Sequence, residues 1–372
     1  MFTGLAVYET GVFQEMAEDV APIISVISPT ETPLLDLLGD PPYFAKQIYH
    51  EWQEDALQPD TIVASCAIAS IAADTPFGVA AGLAKFLRPG TMLQLQDKWN
   101  GEIVQVSVIT GNTITVVRGF GGSTKASYSA GQNIKVISDP ALEGDDVNRD
   151  TSSVRSRKGN YCQLFKEDII ISGTIQAVTM LNVTNEMEYQ KAQKLRIVLK
   201  NLEKNLIRGI ISGNTLGSAS AYRSMDGLIN MIKTNVASIG TMTTDLVNAA
   251  IALPWSQGGV DMDALICDQK TKLQFDGFAT ARIRQLPDET TMRTLITYYE
   301  SSYGIQQVLL NRWMPPSCFL GIATGRVHIM PLQGRSFAYV PVAKTGDSEK
   351  GMVIGEYTAE VKNEEGHLFV HN

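Results

Sequence analysis

The run NEMEYQKAQKLRIVLKNLEKNLIRGII, residues 185–211, constrains this chain more than any other stretch. Ala192, Leu195, Leu199, Leu202, Leu206 and Ile210 recur at steps of three and four, which sets them along one side of an α-helix. Asn185 with Glu188 has the spacing of a capping box, and Ser212-Gly213-Asn214 supplies a stop. At about 1.5 Å per residue such a helix is roughly 40 Å long, well beyond the usual length in soluble domains. Few compact domains need a rod of that size.

The other side of the helix carries Arg196, Lys200, Lys204 and Arg208 at every fourth position, with Lys191 and Lys194 near the start. Only Glu186, Glu188 and Glu203 oppose them. Like charges at that spacing repel by a few tenths of a kcal/mol each. A basic stripe can meet nucleic acid or an acidic partner surface, while a solvated helix face is the commoner explanation of such a pattern.

The rest of the composition narrows the class. A chain of 372 residues can hold two or three compact units, and its 44% apolar and 19% charged content describes a soluble, folded protein. Its net charge of −8 disfavours a dedicated high-affinity nucleic-acid binder but permits a locally basic face. Cys66, Cys162, Cys267 and Cys318 are widely scattered, as core thiols in a reducing cytoplasm are. Neither an export signal nor a membrane-spanning apolar run is expected.

In chain order, apolar residues at Val12, Phe13, Met16, Val20, Ile23, Ile24 and Ile27 are interrupted by Pro22. Thr32 can cap a short helix beginning at Pro33 and ending at Gly39. Its Leu34, Leu35, Leu37 and Leu38 offer more apolar surface than one turn can hide, so this arm should pack on the main body or on a neighbouring subunit. A strand is predicted over 46–56. Then come TMLQLQ, EIVQVSVI, NTITVVRG and QNIKVIS, period-2 runs separated by glycines, which mark a small antiparallel β-module at about 60–142. NYCQLFKEDIIISGT, at 160–174, is the natural partner of the strand at 46–56, giving a two-stranded ribbon that carries the module. Such a ribbon exposes edges and buries little unless a neighbour covers it. After the long helix, a helix, a strand and a helix are expected over 243–278, and strands dominate from 298 onward, with turns at Gly321, Gly325, Gly334 and Gly346.

Chemistry is sparse. Neither a GxxxxGK[ST] loop nor a GxSxG elbow occurs. The segment Arg118-Gly119-Phe120-Gly121-Gly122-Ser123 follows a strand without leading into a helix, so it is a β-turn rather than a phosphate cradle. His367 and His371 fall on a strand, where four residues span roughly 13 Å, too far for one ion. His50 and His328 are isolated, and the acidic groups Asp261 with Asp263 and Glu143 with Asp145 and Asp146 fit no calcium loop. No catalytic, metal or cofactor residues are assigned.

The sequences ISPTETPLLDLLG at 27–39, VRGFGGSTKASYSAG at 117–131, NYCQLFKEDIIISGTIQAV at 160–178 and VAKTGDSEKGMVIGEYTAEVKNEEGHLFVHN at 342–372 complete the pattern. With arm, ribbon, long helix, mixed lobe and closing strands in that order, the chain resembles the major capsid proteins of tailed bacteriophages. Their α+β fold is named after phage Hong Kong 97 and is shared with encapsulins. The resemblance is to the branch with a β-rich insertion in the extended loop.

That resemblance implies an N-terminal arm at 1–43 and an extended loop at 44–172 with an inserted β-domain at about 60–142. It implies a peripheral domain at 173–224 with its spine helix at 185–211, an axial domain at 225–340, and closing strands of the peripheral domain at 341–372. It implies a major capsid protein, not an enzyme, that assembles with itself as pentamers and hexamers into an icosahedral shell around phage double-stranded DNA. Neighbouring capsomers are the principal partners, with Leu34, Leu35, Leu37 and Leu38 as candidate intersubunit contacts. Arg196, Lys200, Lys204 and Arg208 are candidates to face packaged DNA non-specifically or an acidic loop of a neighbouring copy. Scaffold, portal or decoration proteins are further candidate partners, no membrane or cofactor is involved, and assembly belongs in the host bacterial cytoplasm. No crosslinking lysine or asparagine is carried over. The alternatives are a phage tail or baseplate structural protein, or an enzyme with an accessory carbohydrate-binding β-module.

Overall fold

The structure is a computed structural model. It describes residues 31–39, 43–68, 74–96, 98–144, 152, 154–178, 185–211, 216–218, 220–240, 242–258, 262–280, 298–344 and 346–371. The apolar run at 12–27, the stop at Ser212-Gly213-Asn214 and the acidic residues Asp145, Asp146 and Asp261 lie outside these. The chain forms two compact units, Met1–Trp52 with Lys158–Asn372, and Gln53–Arg157.

The first unit opens with helix α1 (Pro33–Leu38), started by Pro33 and stopped by Gly39 at a φ of 66°. Thr32 makes no side-chain cap, contrary to the sequence expectation. Strand β1 (Tyr49–Glu54) then leads to the second unit. There β2 (Thr61–Val63), β3 (Asp74–Gly78), β4 (Met92–Gln94), β5 (Ile103–Thr110), β6 (Thr113–Val117) and β7 (Asn133–Ser138) form one sheet in the order β2-β7-β4-β5-β6-β3. Every pairing is antiparallel. The alternating runs in the sequence become β4 to β7, and the small apolar residues before them supply β2 and β3, which no alternation had marked.

The two outer strands do not remain free. An Ala64–Val79 bridge, with Ser65 N donating to Gly78 O at 2.9 Å and Ala80 N to Val63 O at 2.9 Å, joins their ends and closes the sheet toward a barrel. Closure removes the exposed edge that would otherwise template association. Inward residues such as Ile62, Phe77, Leu93, Val104, Ile114 and Ile134 are buried in one cluster.

Back in the first unit run β8 (Ser156–Tyr161), β9 (Gln163–Ser172), α2 (Gly173–Ala177) and the long helix α3 (Glu186–Arg208). They are followed by α4 (Leu228–Met231), β10 (Val236–Ser238), α5 (Thr244–Gly258), β11 (Ala264–Cys267) and α6 (Gln269–Thr280). The chain finishes with β12 (Tyr298–Ser301), β13 (Gly304–Leu310), β14 (Cys318–Ile322), β15 (Val327–Pro331), β16 (Ala338–Val342), β17 (Ser348–Val361) and β18 (Leu368–His371). A mixed sheet, β10-β18-β14-β11-β13-β12, shares a core with α5 and α6 through Val247, Ile251 and Phe275. A second sheet is built on β17, which takes β15 and β16 along one edge and β9 along the other.

That pairing corrects the predicted ribbon. β1 pairs with β8, while most of the segment at 160–174 becomes β9 and pairs with β17. The reason is burial: Phe165, Ile169 and Ile171 of β9 belong to the core beneath α3, which a projecting ribbon could not cover. Gly321 is also not a turn but sits inside β14, where a Cβ would run into Met262 Sδ.

Helix α3 starts where expected, with Asn185 Oδ1 accepting from Met187 N at 3.0 Å and Glu188 N at 3.4 Å. It stops earlier, at Gly209, whose N–H reaches Asn205 O at 2.7 Å. Its buried row also differs from the one read by apolarity. Met187, Val198, Leu202, Leu206 and Ile207 are buried, whereas Ala192, Leu195 and Ile210 are exposed. Between Met187 and Val198 the inward positions are lysines: Lys191 Nζ lies 4.1 Å from the Tyr339 ring centroid, and Lys194 pairs with Glu167 at 3.1 Å. Long lysine stems cover apolar surface while their ammonium groups find partners, so counting apolar residues alone misplaces the face.

Candidate functional site

Of the four residues in the predicted basic stripe, Arg196, Lys204 and Arg208 are exposed and Lys200 is half-buried. They do not act alike. Lys204 Nζ sits 4.4 Å from the Trp313 ring centroid, a cation–π contact that gives it a structural partner. No ion pair among the described residues includes Arg196, Lys200 or Arg208.

The arm leucines are placed against the chain's own core. Leu34 is fully buried there, which corrects its assignment as an intersubunit contact, because no surface is left for a neighbour. Leu35, Leu37 and Leu38 are half-buried on the same cluster. The anchor is Glu203 of α3, which the stripe reading treated only as a stray acid. Its Oε1 accepts from Leu34 N at 2.9 Å and Asn311 Nδ2 at 2.5 Å, and its Oε2 accepts from Leu35 N at 2.9 Å. Trp313 Nε1 donates to Glu31 O at 3.0 Å beside it.

At the root of the ribbon, Tyr43 and His50 meet Glu360 and Lys362 from the closing strands. Tyr43 donates to Glu360 Oε2, Lys362 Nζ lies 3.4 Å from Glu360 Oε1, and His50 Nε2 is 3.6 Å from Glu360 Oε2. Burial alone would raise the Glu360 carboxyl, but His50, Tyr43 and Lys362 together hold it down to about 2. His328 faces the Tyr43 ring edge-on, and burial lowers its pKa from the ordinary value. His50 is therefore a neighbour of this buried carboxylate, and His328 of the tyrosine that donates to it.

The segment Arg118 to Ser123 is a left-handed turn, with Gly119 and Gly121 both at a φ of 67°. Arg118 is buried against Glu102 through Nε at 2.8 Å and Nη2 at 2.5 Å. Glu102 also accepts from Gly119 N at 3.2 Å and Ala126 N at 3.0 Å. Burial would raise its pKa, yet the guanidinium and these amides bring it below the ordinary carboxylate value. The turn is thus a scaffold part.

His367 is buried and accepts from Ala323 N at 3.3 Å through Nδ1, and burial lowers its pKa to about 4. Asp263 Oδ1 accepts from Thr324 N at 2.8 Å, and Glu143 is exposed. Burial pushes the thiols of Cys162 and Cys267 up to about 11 and about 12, so neither is a nucleophile near neutral pH. Among the described residues, no three His, Cys, Asp or Glu side chains gather to hold a metal ion. No helix among them is long and apolar enough to cross a membrane. A cleft of about 370 Å³ between β9 and the start of α3 is lined by Ile170, Ile171, Ile175, Glu186, Gln190 and Lys194, with no nucleophile–base pair.

What the first unit leaves open is a sheet face. The register sets Ile170, Lys350 and Val342 in one row across β9, β17 and β16, then Asp168, Met352 and Val340, then Lys166, Ile354 and Ala338. Ile170 is 66% exposed, Val342 46% and Val340 37%, while the reverse face of β9 is buried under α3. Apolar side chains alternate on this face with Lys350, Asp168 and Lys166, and no element among the described residues covers it.

Solved structures resemble this chain at low identity, and the first named here shares its fold. The capsid of a native GTA particle matches at a TM-score of 0.50 and 9% identity, over 99% of this chain and 99% of that one. Gordonia phage Cozz matches at a TM-score of 0.49 and 10% identity, over 100% of this chain and 96% of that one. For Mycobacterium phage Adephagia the values are 0.47 and 10%, over 99% and 98%. No curated protein matches the sequence. A family model described as SU10 major capsid protein matches residues 3–372, and with arm, ribbon, long helix and closing strands all inside that span, the chain belongs to this family of phage major capsid proteins.

Proposed function

We propose that copies of this chain assemble as pentamers and hexamers into an icosahedral shell enclosing double-stranded DNA, built in the cytoplasm of a host bacterium. The arm at 1–43, the extended loop at 44–172, the peripheral parts at 173–224 and 341–372 and the axial part at 225–340 divide the work. The open face of β9, β17 and β16 carries this reading. Apolar surface still open on these side chains contributes about 25 cal/mol per Å² when taken from water, and in a closed shell the same gain repeats at every copy. Leu35, Leu37 and Leu38 add what remains of their surface, whereas Leu34 adds none. No catalysis is assigned.

Replacing Ile170 and Val340 together by Asp tests the reading. Electron microscopy and sedimentation are expected to show subunits in place of shells, with circular dichroism unchanged because both side chains point away from the core. Shells of ordinary yield from this double variant would contradict it.

Arg196, Lys200 and Arg208 face the DNA in this reading, and Lys204 does not, being engaged with Trp313. Charge reversal at Arg196 and Arg208 should leave shells intact and lower DNA retention roughly tenfold at moderate salt. Equal retention at all salt concentrations would make the stripe a solvated face.

A further inference from the structure

Strand β9 has a strand partner on one edge only. Its ten residues pair with β17 from Gln163↔Tyr357 to Ser172↔Ser348 without a bulge, and no other strand among the described residues joins it. The backbone groups of every second residue therefore point away from β17. Ile169 and Ile171 belong to the face under α3 and Asp168 and Ile170 to the opposite face, yet all four line the one cleft of about 370 Å³. Both faces of a strand can line a single cleft only along its edge. The far wall is Glu186, Gln190 and Lys194, a row of α3. Apart from the ladder to β17, no backbone hydrogen bond among the described residues reaches Asp168 to Ile171.

Natural sheets blunt an open edge with proline, a bulge or lysine, or else they cover it. Ile169-Ile170-Ile171 has none of those devices. With Ile175 and Val178 exposed beside it, this edge suits an uncharged, β-branched strand. The chain carries such a segment ahead of the described arm, Ile23-Ile24-Ser25-Val26-Ile27. No charge occurs from Val20 to Ser28, so the segment opposes neither Glu186 nor Lys194. Pro22 stands just before it, a place an edge strand accepts.

We propose that residues 23–27 add to the free edge of β9 as an antiparallel strand of the same chain. The described arm begins at Glu31, whose carbonyl takes Trp313 Nε1–H, and the Trp313 ring lies against Lys204 of α3. Lys204 stands about five turns from Glu186 on the same row of the helix, so it looks toward the side that lines the cleft. From Lys204 it is about 15 Å along the helix to Lys194 and about 27 Å to Glu186. Extended chain running back from Glu31 covers about 13 Å to Ile27 and about 26 Å to Ile23. The two spans agree. Ser28 precedes Pro29, which pushes that link toward extended backbone.

The direction follows from α3. Glu167 of β9 meets Lys194, while Gln163 Oε1 accepts from Met225 N at 3.0 Å, close to where Gly227 meets Gly209 at the helix end. Strand and helix therefore run in opposite senses. A segment that enters beside Glu186 with Ile23 and leaves past Lys194 with Ile27 follows the helix and opposes β9. This inference goes beyond the shell reading and concerns one chain alone.

Residue-resolved amide exchange on unassembled subunits of the full chain tests it. The amides among Asp168 to Ile171 that face the cleft should exchange roughly tenfold or more slowly than free amides, and just as slowly after about tenfold dilution. Of two neighbouring positions in an added strand, one N–H faces β9. At least one of Ile24→Pro and Ser25→Pro should therefore return the cleft-facing amides to within about threefold of the free rate, with β17 and α3 still protected. Free exchange of these amides in the unaltered chain overturns the proposal, as does protection that survives both prolines. Protection that fades on dilution overturns it too, by making a second copy the occupant. Shells that fail to form while this protection stands count against the shell reading alone.

Discussion

Arg118→Ala is expected to destabilise the barrel unit by about 3–5 kcal/mol, because it strands a carboxylate in a place water does not reach. The side chains of Arg118 and Glu102 are both 0% exposed. With the guanidinium gone, Glu102 keeps only the amides of Gly119 and Ala126, too few to replace a bidentate ion pair. A loss of that size is a large part of the roughly 5–15 kcal/mol that stabilises an ordinary domain. Amide exchange across β5 and β6 in the full chain should accelerate by two orders of magnitude or more, while β17 stays protected. Glu102→Gln should cost a comparable amount, because it leaves the buried guanidinium without a counter-ion and turns an NH2 group toward N–H donors. If Arg118→Ala left β5 and β6 as slow to exchange as before, the ion pair would be dispensable.

Gly227→Ala is expected to cost about 3 kcal/mol for a different reason. A Cβ at this position would lie 2.8 Å from Asn205 O and 3.0 Å from Ile207 O, and it would also strike Gly209 N. All three are backbone atoms at the end of α3, so no side chain can swing aside. The hydrogen bond from Gly227 N to Gly209 O, 3.0 Å long, would be lost with the contact. Gly277→Ala in α6 is the control: nothing lies within 4 Å of its added Cβ, and it should stabilise by about 0.5–1 kcal/mol. Urea denaturation of the two variants should move in opposite directions. Parallel shifts would mean that the close approach of Gly209 and Gly227 is not what ends the helix.

These two glycines show what the sequence can and cannot reveal. The rise of α3 from Asn185 is written locally, in a cap and its amides, and is legible. Its end is written by Gly227, eighteen positions further along than Gly209, and no local pattern announces that. In the same way β4 to β7 declare themselves by alternation, but β2 and β3 are strands because a barrel needs them for closure. Glu203 looked like a minor acid among lysines, since its role depends on Leu34 and Leu35, 169 and 168 positions away. His50 and His328 looked solitary, yet both meet the ring of Tyr43. The capsid family was legible because the order of its parts is a property of the whole chain, and the matched span covers nearly all of it.

The pairing of β1 with β8 has a consequence for the module that lies between them in sequence. Paired strands run about 5 Å apart, so the polypeptide departs and comes back almost at the same point. An autonomous fold whose own ends meet is thus the kind of segment that this strand pair can admit without being parted.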